Sequence, residues 1–522
     1  MPHLLRLRSV LPWRYPVRSP VGILSVLVLT ALCAASAYAI PPPSNSLADS
    51  QVSVTHGAVT LRNGHRLNYT AHAGFLPLVT DDTQEVTAHL YFAAFTADLP
   101  PGTSPRPITF VFPGGPGAPA TLSHYGPRLV VVKDSEAKVT DNPDTLLSFT
   151  DLVLVDPVGT GYSRVTKPEY TSKFYGIKQD TDSLVEFVRL YIQRFDPAES
   201  PIFLSGGSWG SVRSILVADA ALNRGIPIRG IMVSAEGAIF SIAGTDSYYA
   251  TLIPGFTLVA FTHHRLTSDL QTDRTKAIGE SQAWARSVYL PALARGNALP
   301  QDERHTIATQ MARLTGLKTQ VIESHGLKLS QEDFANELLR DEGKSVGFYD
   351  TRITGPAQTG SYDATKDPSL LARGVAYPSL AERYLLNREL GMVSSNYYAG
   401  PFGGGWPVKE GLQDWMAAKW GMPMDQEPVG IGMEVILPTF VRIVDKNVRA
   451  LIGQGNYDWA CPPFGVDYVA SRVSPAHKQD VTVTRYESGH SVPEAQFAAD
   501  AAAFVSKVLK EPKPEVPQSS VD

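Results

Sequence analysis

Apolar and polar positions alternate through residues 51–96, and "VTLRNGHRLNYTAHA" sets Asn63-Gly64 between two such segments, a strong hairpin signal. "AHLYFAAFTAD" adds another strand before a Pro/Gly/Ser break at 100–107, so this part reads as antiparallel. The rhythm then changes. "ITFVF" (108–112), "DLVLVDP" (151–157), "PIFLS" (201–205) and "RGIMVS" (229–234) are short, continuously apolar runs separated by helical periodicity. Such runs are expected of parallel strands covered on both faces by helices. From about 240 to 400 that pattern gives way to long polar helices, predicted over 267–294 and 298–340, which read as an inserted, largely helical cap. "VRALIGQG" (448–455) and "DVTVTRYES" (480–488) resume the sheet, and a helix over 493–510 closes it. The fold class predicted is α/β, with a mostly parallel central sheet flanked by helices. Its core is divided into residues 40–239 and 401–510, with the cap at 240–400 and a Pro-rich, disordered tail at 511–522.

Residues 1–39 stand apart. Arg6, Arg8, Arg14 and Arg18 precede an uncharged apolar run from Val21 to Leu32, which leads to Ala37-Tyr38-Ala39. A basic segment, an apolar core and an A-x-A end describe a secretory signal peptide, which predicts an exported, periplasmic or secreted protein with no stable membrane insertion after cleavage. The alternative is a signal anchor retained in the membrane, since Val21 to Ala39 approaches the ~20 residues needed to span. Cleavage removes four arginines and no acidic residue, taking the formal charge from −5 to −9. An acidic mature chain argues against a nucleic-acid partner. Cys461 is then the sole cysteine, which excludes an intrachain disulfide. No ligand cluster with metal spacing occurs, so neither a metal nor a cofactor is implied.

The chemistry gathers at strand ends. Gly206-Gly207-Ser208-Trp209-Gly210 fits G-x-S-x-G and lies between the run 201–205 and a helix predicted over 211–224. That context lifts a serine out of a strained corner as a nucleophile, whereas the bland alternative is a structural Gly-Ser turn. A serine nucleophile needs a base, and the base an orienting carboxylate, following in the order Ser, Asp, His. Asp458 falls just past the strand at 448–455 and His490 just past the strand at 480–487. "FVFPGGPGAPA" places Gly114-Gly115-Pro116-Gly117 directly after 108–112, where the first oxyanion donor loop belongs. A phosphate-cradling loop is the weaker reading, because no Lys-Ser or Lys-Thr follows. The backbone N–H of Trp209 is the second expected donor.

With these residues in place the chain resembles the serine carboxypeptidase family, in particular its bacterial branch, within the α/β-hydrolase superfamily. The resemblance rests on "PGGPG" (113–117), "DPVGTGYS" (156–163), "GGSWG" (206–210), "GNYDWACP" (455–462) and "ESGHS" (487–491). It is weaker through "LNYTAHAGFLPL" (67–78), "VGFYDTRITG" (346–355) and "DPSL" (367–370). It implies Ser208 as nucleophile, Asp458 as orienting acid, His490 as base, the N–H groups of Gly115 and Trp209 as oxyanion hole, and a structural Asp156. It also implies release of C-terminal residues from peptides through an acyl-enzyme. The family's Asn and Glu that grip a terminal carboxylate are replaced here by Pro113 and Gly207, and His124 falls near the position of a further Glu. His124 and Gly114 are the candidate substrate-binding residues, His124 as a cation for a carboxylate or as a plain loop histidine. The replaced residues leave a second reading open, an esterase, amidase or acyltransferase acting on small metabolites. A third, a catalytically idle binding protein, is disfavoured by the pairing of Asp458 with His490.

Overall fold

The computed structural model describes residues 52–80, 83–100, 102–120, 125–133, 136–174, 176–195, 200–358, 366–372, 388–392, 398 and 433–511. The leader expected over 1–39, residues 512–522 of the expected tail, and His124 lie outside these residues. Glu511, the first residue of that expected tail, accepts a hydrogen bond from Arg449 Nε at 2.5 Å.

The strands in chain order are β1 (Ser53–Thr60), β2 (Arg66–Val79), β3 (Val86–Ala97), β4 (Ile108–Phe112), β5 (Arg128–Lys133), β6 (Glu136–Asp141) and β7 (Asp151–Val155). They continue with β8 (Arg164–Val165), β9 (Ile202–Gly207), β10 (Ile228–Ser234), β11 (Lys344–Val346), β12 (Thr354–Pro356), β13 (Arg449–Gly455) and β14 (Val481–Tyr486). One sheet runs β1-β2-β3-β7-β4-β9-β10-β13-β14, with β8 on β3. The first three strands are antiparallel, and Gly64, with φ +80°, makes the tight turn between β1 and β2. From β7 to β14 every pairing is parallel, as the continuous apolar runs predict.

The reason for those runs is visible in the packing. Successive residues of a strand point to opposite faces, so Phe110 and Phe112 of β4 enter one core while Val111 enters the other. Met232 is likewise separated from Ile231 and Val233 of β10. Helices Ile177–Phe195 and Trp209–Asn223 fill the first core, and Phe497, Ala501 and Phe504 of helix Glu494–Val508 enter the second.

Residues 235–448 are inserted between the neighbouring parallel strands β10 and β13. Their helices are shorter than predicted. The stretch read as one helix over 298–340 divides into Gln301–Thr315, Thr319–Ser324 and Gln331–Glu337. Gly316 closes the first with φ +71°, and a Ser330–Asp333 capping box opens the last. The stretch 267–294 breaks similarly, into Ser268–Gln271, Arg274–Trp284, a π-helical turn at Ala285–Tyr289 and Leu290–Ala294. Two hairpins, β5–β6 and β11–β12, were not expected from the sequence.

Candidate active site

Ser208 sits between β9 and helix Trp209–Asn223 with φ 57° and ψ −126°, a left-handed conformation unusual for a residue with a side chain. The corner is pinned by Ser208 N donating to Ser234 O at 3.0 Å and Ser211 N donating to Ser208 O at 2.8 Å. Its glycines are sterically required. A Cβ at Gly210 would run into the Phe112 carbonyl, and one at Gly206 into the carbonyls of Gly210 and Phe112. The serine is therefore held at the carboxyl edge of the sheet, in front of a helix N-terminus whose dipole favours developing negative charge.

The glycine loop after β4 lies against this corner. A Cβ on Gly114 would stand 3.0 Å from Gly207 O and 3.2 Å from Ser208 Cβ, so any side chain there would press on the Ser208 corner. Gly115, with φ +108°, turns the chain beside it. Two braces hold the loop. Asp156, wholly buried, accepts from Ala120 N at 2.7 Å, which fits the structural role expected of it. The other brace was not anticipated: Arg213, buried on helix Trp209–Asn223, donates to Pro113 O at 2.7 Å and pairs with Asp180 Oδ2 at 2.7 Å. Nothing in the periodicity of either helix distinguishes Arg213 or Asp180 from ordinary surface charges.

Gly207 stands where the resemblance implies a substrate-gripping Glu. A Cβ there would come within 2.8 Å of Ser234 Oγ, so a larger side chain would require that hydroxyl to turn away.

Asp458 and His490 come together although 32 residues separate them. Asp458 is fully buried, and His490 Nδ1 lies 3.0 Å and 3.1 Å from its two carboxylate oxygens. A proton on Nδ1 donates to the carboxylate and leaves Nε2 with its lone pair, the tautomer a general base needs. Asp458 also accepts from Cys461 N at 3.0 Å. The Cys461 thiol is within hydrogen-bonding reach of the Ser208 hydroxyl, and it lies within 4.8 Å of both the Asp458 carboxylate and a His490 ring nitrogen. Ser208, Asp458 and His490 thus share one site with a thiol among them. Burial, reinforced by Asp458 and Glu236, pushes that thiol well above its ordinary range. Asp458 and His490 thus form a carboxylate–imidazole pair beside a neutral thiol, which is a poor metal ligand while it keeps its proton.

The Asp458 and His490 loops are clamped from the insertion. Phe348 O accepts from Trp459 N at 3.0 Å and Ala460 N at 3.1 Å, while Tyr349 O accepts from His490 N at 2.7 Å. The Tyr349 ring packs edge-on to the imidazole at 5.2 Å between centroids. Asp367 accepts from Phe348 N at 2.6 Å, and Ser369 Oγ from Tyr349 N at 3.1 Å. The weak likenesses at 346–355 and 367–370 were the only sequence signal of this clamp.

Glu236, just past β10, was also missed. It is buried, its N–H donates to Gln454 Oε1 at 3.2 Å, and its Oε1 accepts from Ala238 N. Its Oε2 has no partner among the described residues. Burial raises its pKa to about 7, opposed by the backbone N–H groups of Ala238 and Ile239.

A strained serine at the carboxyl end of the central strand β9, with Asp458 following β13 and His490 following β14 of a mixed, mostly parallel sheet, defines an α/β-hydrolase fold. Residues 63–218 match the family model of the serine carboxypeptidases, which bears out the likeness to that family, though not to its bacterial branch. That span includes the glycine loop, "DPVGTGYS" and Ser208. No curated protein matches the chain. Among solved structures, the chain is similar to the prohormone-processing carboxypeptidase Kex1 from Saccharomyces cerevisiae, at 14% identity over 84% of this chain and 91% of that one, TM-score 0.49. It is also similar to feruloyl esterase B from Aspergillus oryzae (12% identity, 89% and 88% covered, TM-score 0.37). A third is the peroxisomal α/β-hydrolase Lpx1 from S. cerevisiae (11% identity, 90% and 93% covered, TM-score 0.33). Fold and family match support a serine hydrolase.

Proposed function

We propose that this chain is a serine hydrolase of the carboxypeptidase type, with Ser208 as nucleophile, His490 as general base and Asp458 as the carboxylate that orients it. The observation that carries this reading is the pairing of His490 Nδ1 with both oxygens of buried Asp458, on the site that holds the strained Ser208. His490 takes the Ser208 proton as Oγ attacks the substrate carbonyl. The N–H groups of Gly115 and Trp209 receive the oxyanion, each donor being worth about 10²–10³ in rate. The imidazolium then gives its proton to the leaving amine or alcohol, and water, activated by the same imidazole, releases the acyl group. The substrate class is a peptide with a free C-terminus. The insertion 240–400 is read as a cap over the site, and export follows from the leader. No helix among the described residues is long and apolar enough to cross a membrane.

The second reading, hydrolysis or transfer of small esters and amides, is favoured by Pro113 and Gly207, which remove two carboxylate-gripping positions implied by the resemblance. One paired assay separates the two. An N-blocked dipeptide should be cleaved and its C-terminal amide spared across pH 4–8. Rapid turnover of aryl esters with neither peptide cleaved would instead assign the esterase reading.

A further inference from the structure

The insertion forms a cavity of about 340 Å³ against the helix that follows the Asp458 loop. This is within the range of small-ligand pockets, roughly 300–1,000 Å³. Neither Ser208, Asp458 nor His490 lines it. Its floor is apolar, formed by Ala250 and Pro254 of helix Asp246–Thr262, Leu290, and Phe464. Its rim is cationic. Arg286 projects from the π-helical turn Ala285–Tyr289 and is exposed, with no ion-pair partner among the described residues. Arg472, also exposed, lies over the Tyr468 ring at 4.3 Å and likewise has no carboxylate partner among those residues. The carboxylate at this rim, Asp467, is taken by Arg485 at 2.8 Å. The cavity thus presents two uncompensated guanidinium groups above an apolar floor. π-Helical turns recur at functional sites, and this one supplies one of the two cations.

We propose that this cavity is a second binding site, distinct from the hydrolytic one, for a small amphiphilic carboxylate. Its apolar chain lies over Ala250, Pro254, Leu290 and Phe464, and its carboxylate faces Arg286 and Arg472. Apolar burial supplies affinity without direction. The guanidinium pair supplies the sign preference, since Arg presents a planar fork matched to a carboxylate. A neutral chain of equal length keeps only the first contribution, and a short carboxylate keeps only the second.

Isothermal titration calorimetry of the full chain with sodium octanoate tests this. The expected result is one saturable site, with octanol and acetate each binding at least about tenfold more weakly. Arg286→Ala/Arg472→Ala alters two exposed side chains, leaves the fold intact, and should weaken octanoate about tenfold while leaving octanol unchanged. Ala250→Trp, which fills the floor, should remove binding of both. Three outcomes overturn the proposal: no saturable octanoate binding, equal octanoate affinity in the double arginine variant, or octyltrimethylammonium binding as tightly as octanoate.

Discussion

The Ser208 corner and the Asp458 and His490 loops meet in one site but are built in opposite ways. Ser208 is placed by its immediate neighbours: Gly206 and Gly210 allow strand and helix to close up, and the corner's backbone hydrogen bonds span few residues or adjacent strands. Asp458 and His490 are placed by distant chain. Phe348 and Tyr349 of the insertion hold both of their loops, and Asp367 and Ser369 hold Phe348 and Tyr349. A site made this way lets the His490 imidazole be adjusted through the insertion while Ser208 stays fixed. Activity and stability should therefore separate when each side is perturbed.

The largest effect is expected on the nucleophile side. Arg213→Met removes the brace on Pro113 O and leaves Asp180 as an uncompensated buried carboxylate, a change that typically destabilises by about 3–5 kcal/mol. Urea unfolding should show this loss. A loss below about 1 kcal/mol would mean the pair does not hold the corner.

Glu236→Gln should give the next largest effect, and it depends on pH. The carboxyl keeps its proton to about pH 7 when folded, against an ordinary value of 4.5 when unfolded. Its protonated form therefore adds stability that is present in full below about pH 4.5 and is lost as pH rises through about 7, up to about 3 kcal/mol in all. The Gln variant cannot ionise and should lose that slope, so its stability relative to the unmodified protein should rise between pH 5 and 8. A parallel pH dependence in both proteins would place the titrating group elsewhere.

The smallest effect belongs to the clamp. Tyr349→Leu removes an aromatic edge worth about 0.5–1.5 kcal/mol from the His490 ring. Ester turnover should fall by up to about tenfold, with the urea midpoint changing less than it does for Arg213→Met. An unchanged kcat would show that the insertion merely covers the acid–base loops.

Much of this site was legible in the sequence because its signals are local. Continuous apolar runs gave the parallel strands, and Gly-x-Ser-x-Gly gave the corner. A residue just past each of two late strands gave Asp458 and His490. Signals that depend on the tertiary neighbour were not legible. Arg213 and Asp180 look like ordinary helix charges until packing buries them together, and Glu236 looks like a loop carboxylate until the sheet closes over it. The overlong helices at 267–294 and 298–340 failed for a different reason. Polar sequence carries little periodicity, so the Asp273 cap in the first stretch, and the left-handed cap at Gly316 and the capping box at Ser330 in the second, decided where the chain breaks.

The most direct test of the account is labelling with a fluorophosphonate probe, read by mass spectrometry of the digested protein. The prediction is one adduct, on the peptide that contains Ser208. It should be absent in Ser208→Ala and slowed by at least about a hundredfold in His490→Ala, in line with the loss of a general base. Equal labelling of Ser208→Ala and the unmodified protein would contradict the assignment of Ser208 as nucleophile, and with it the reading of this site as a hydrolase triad.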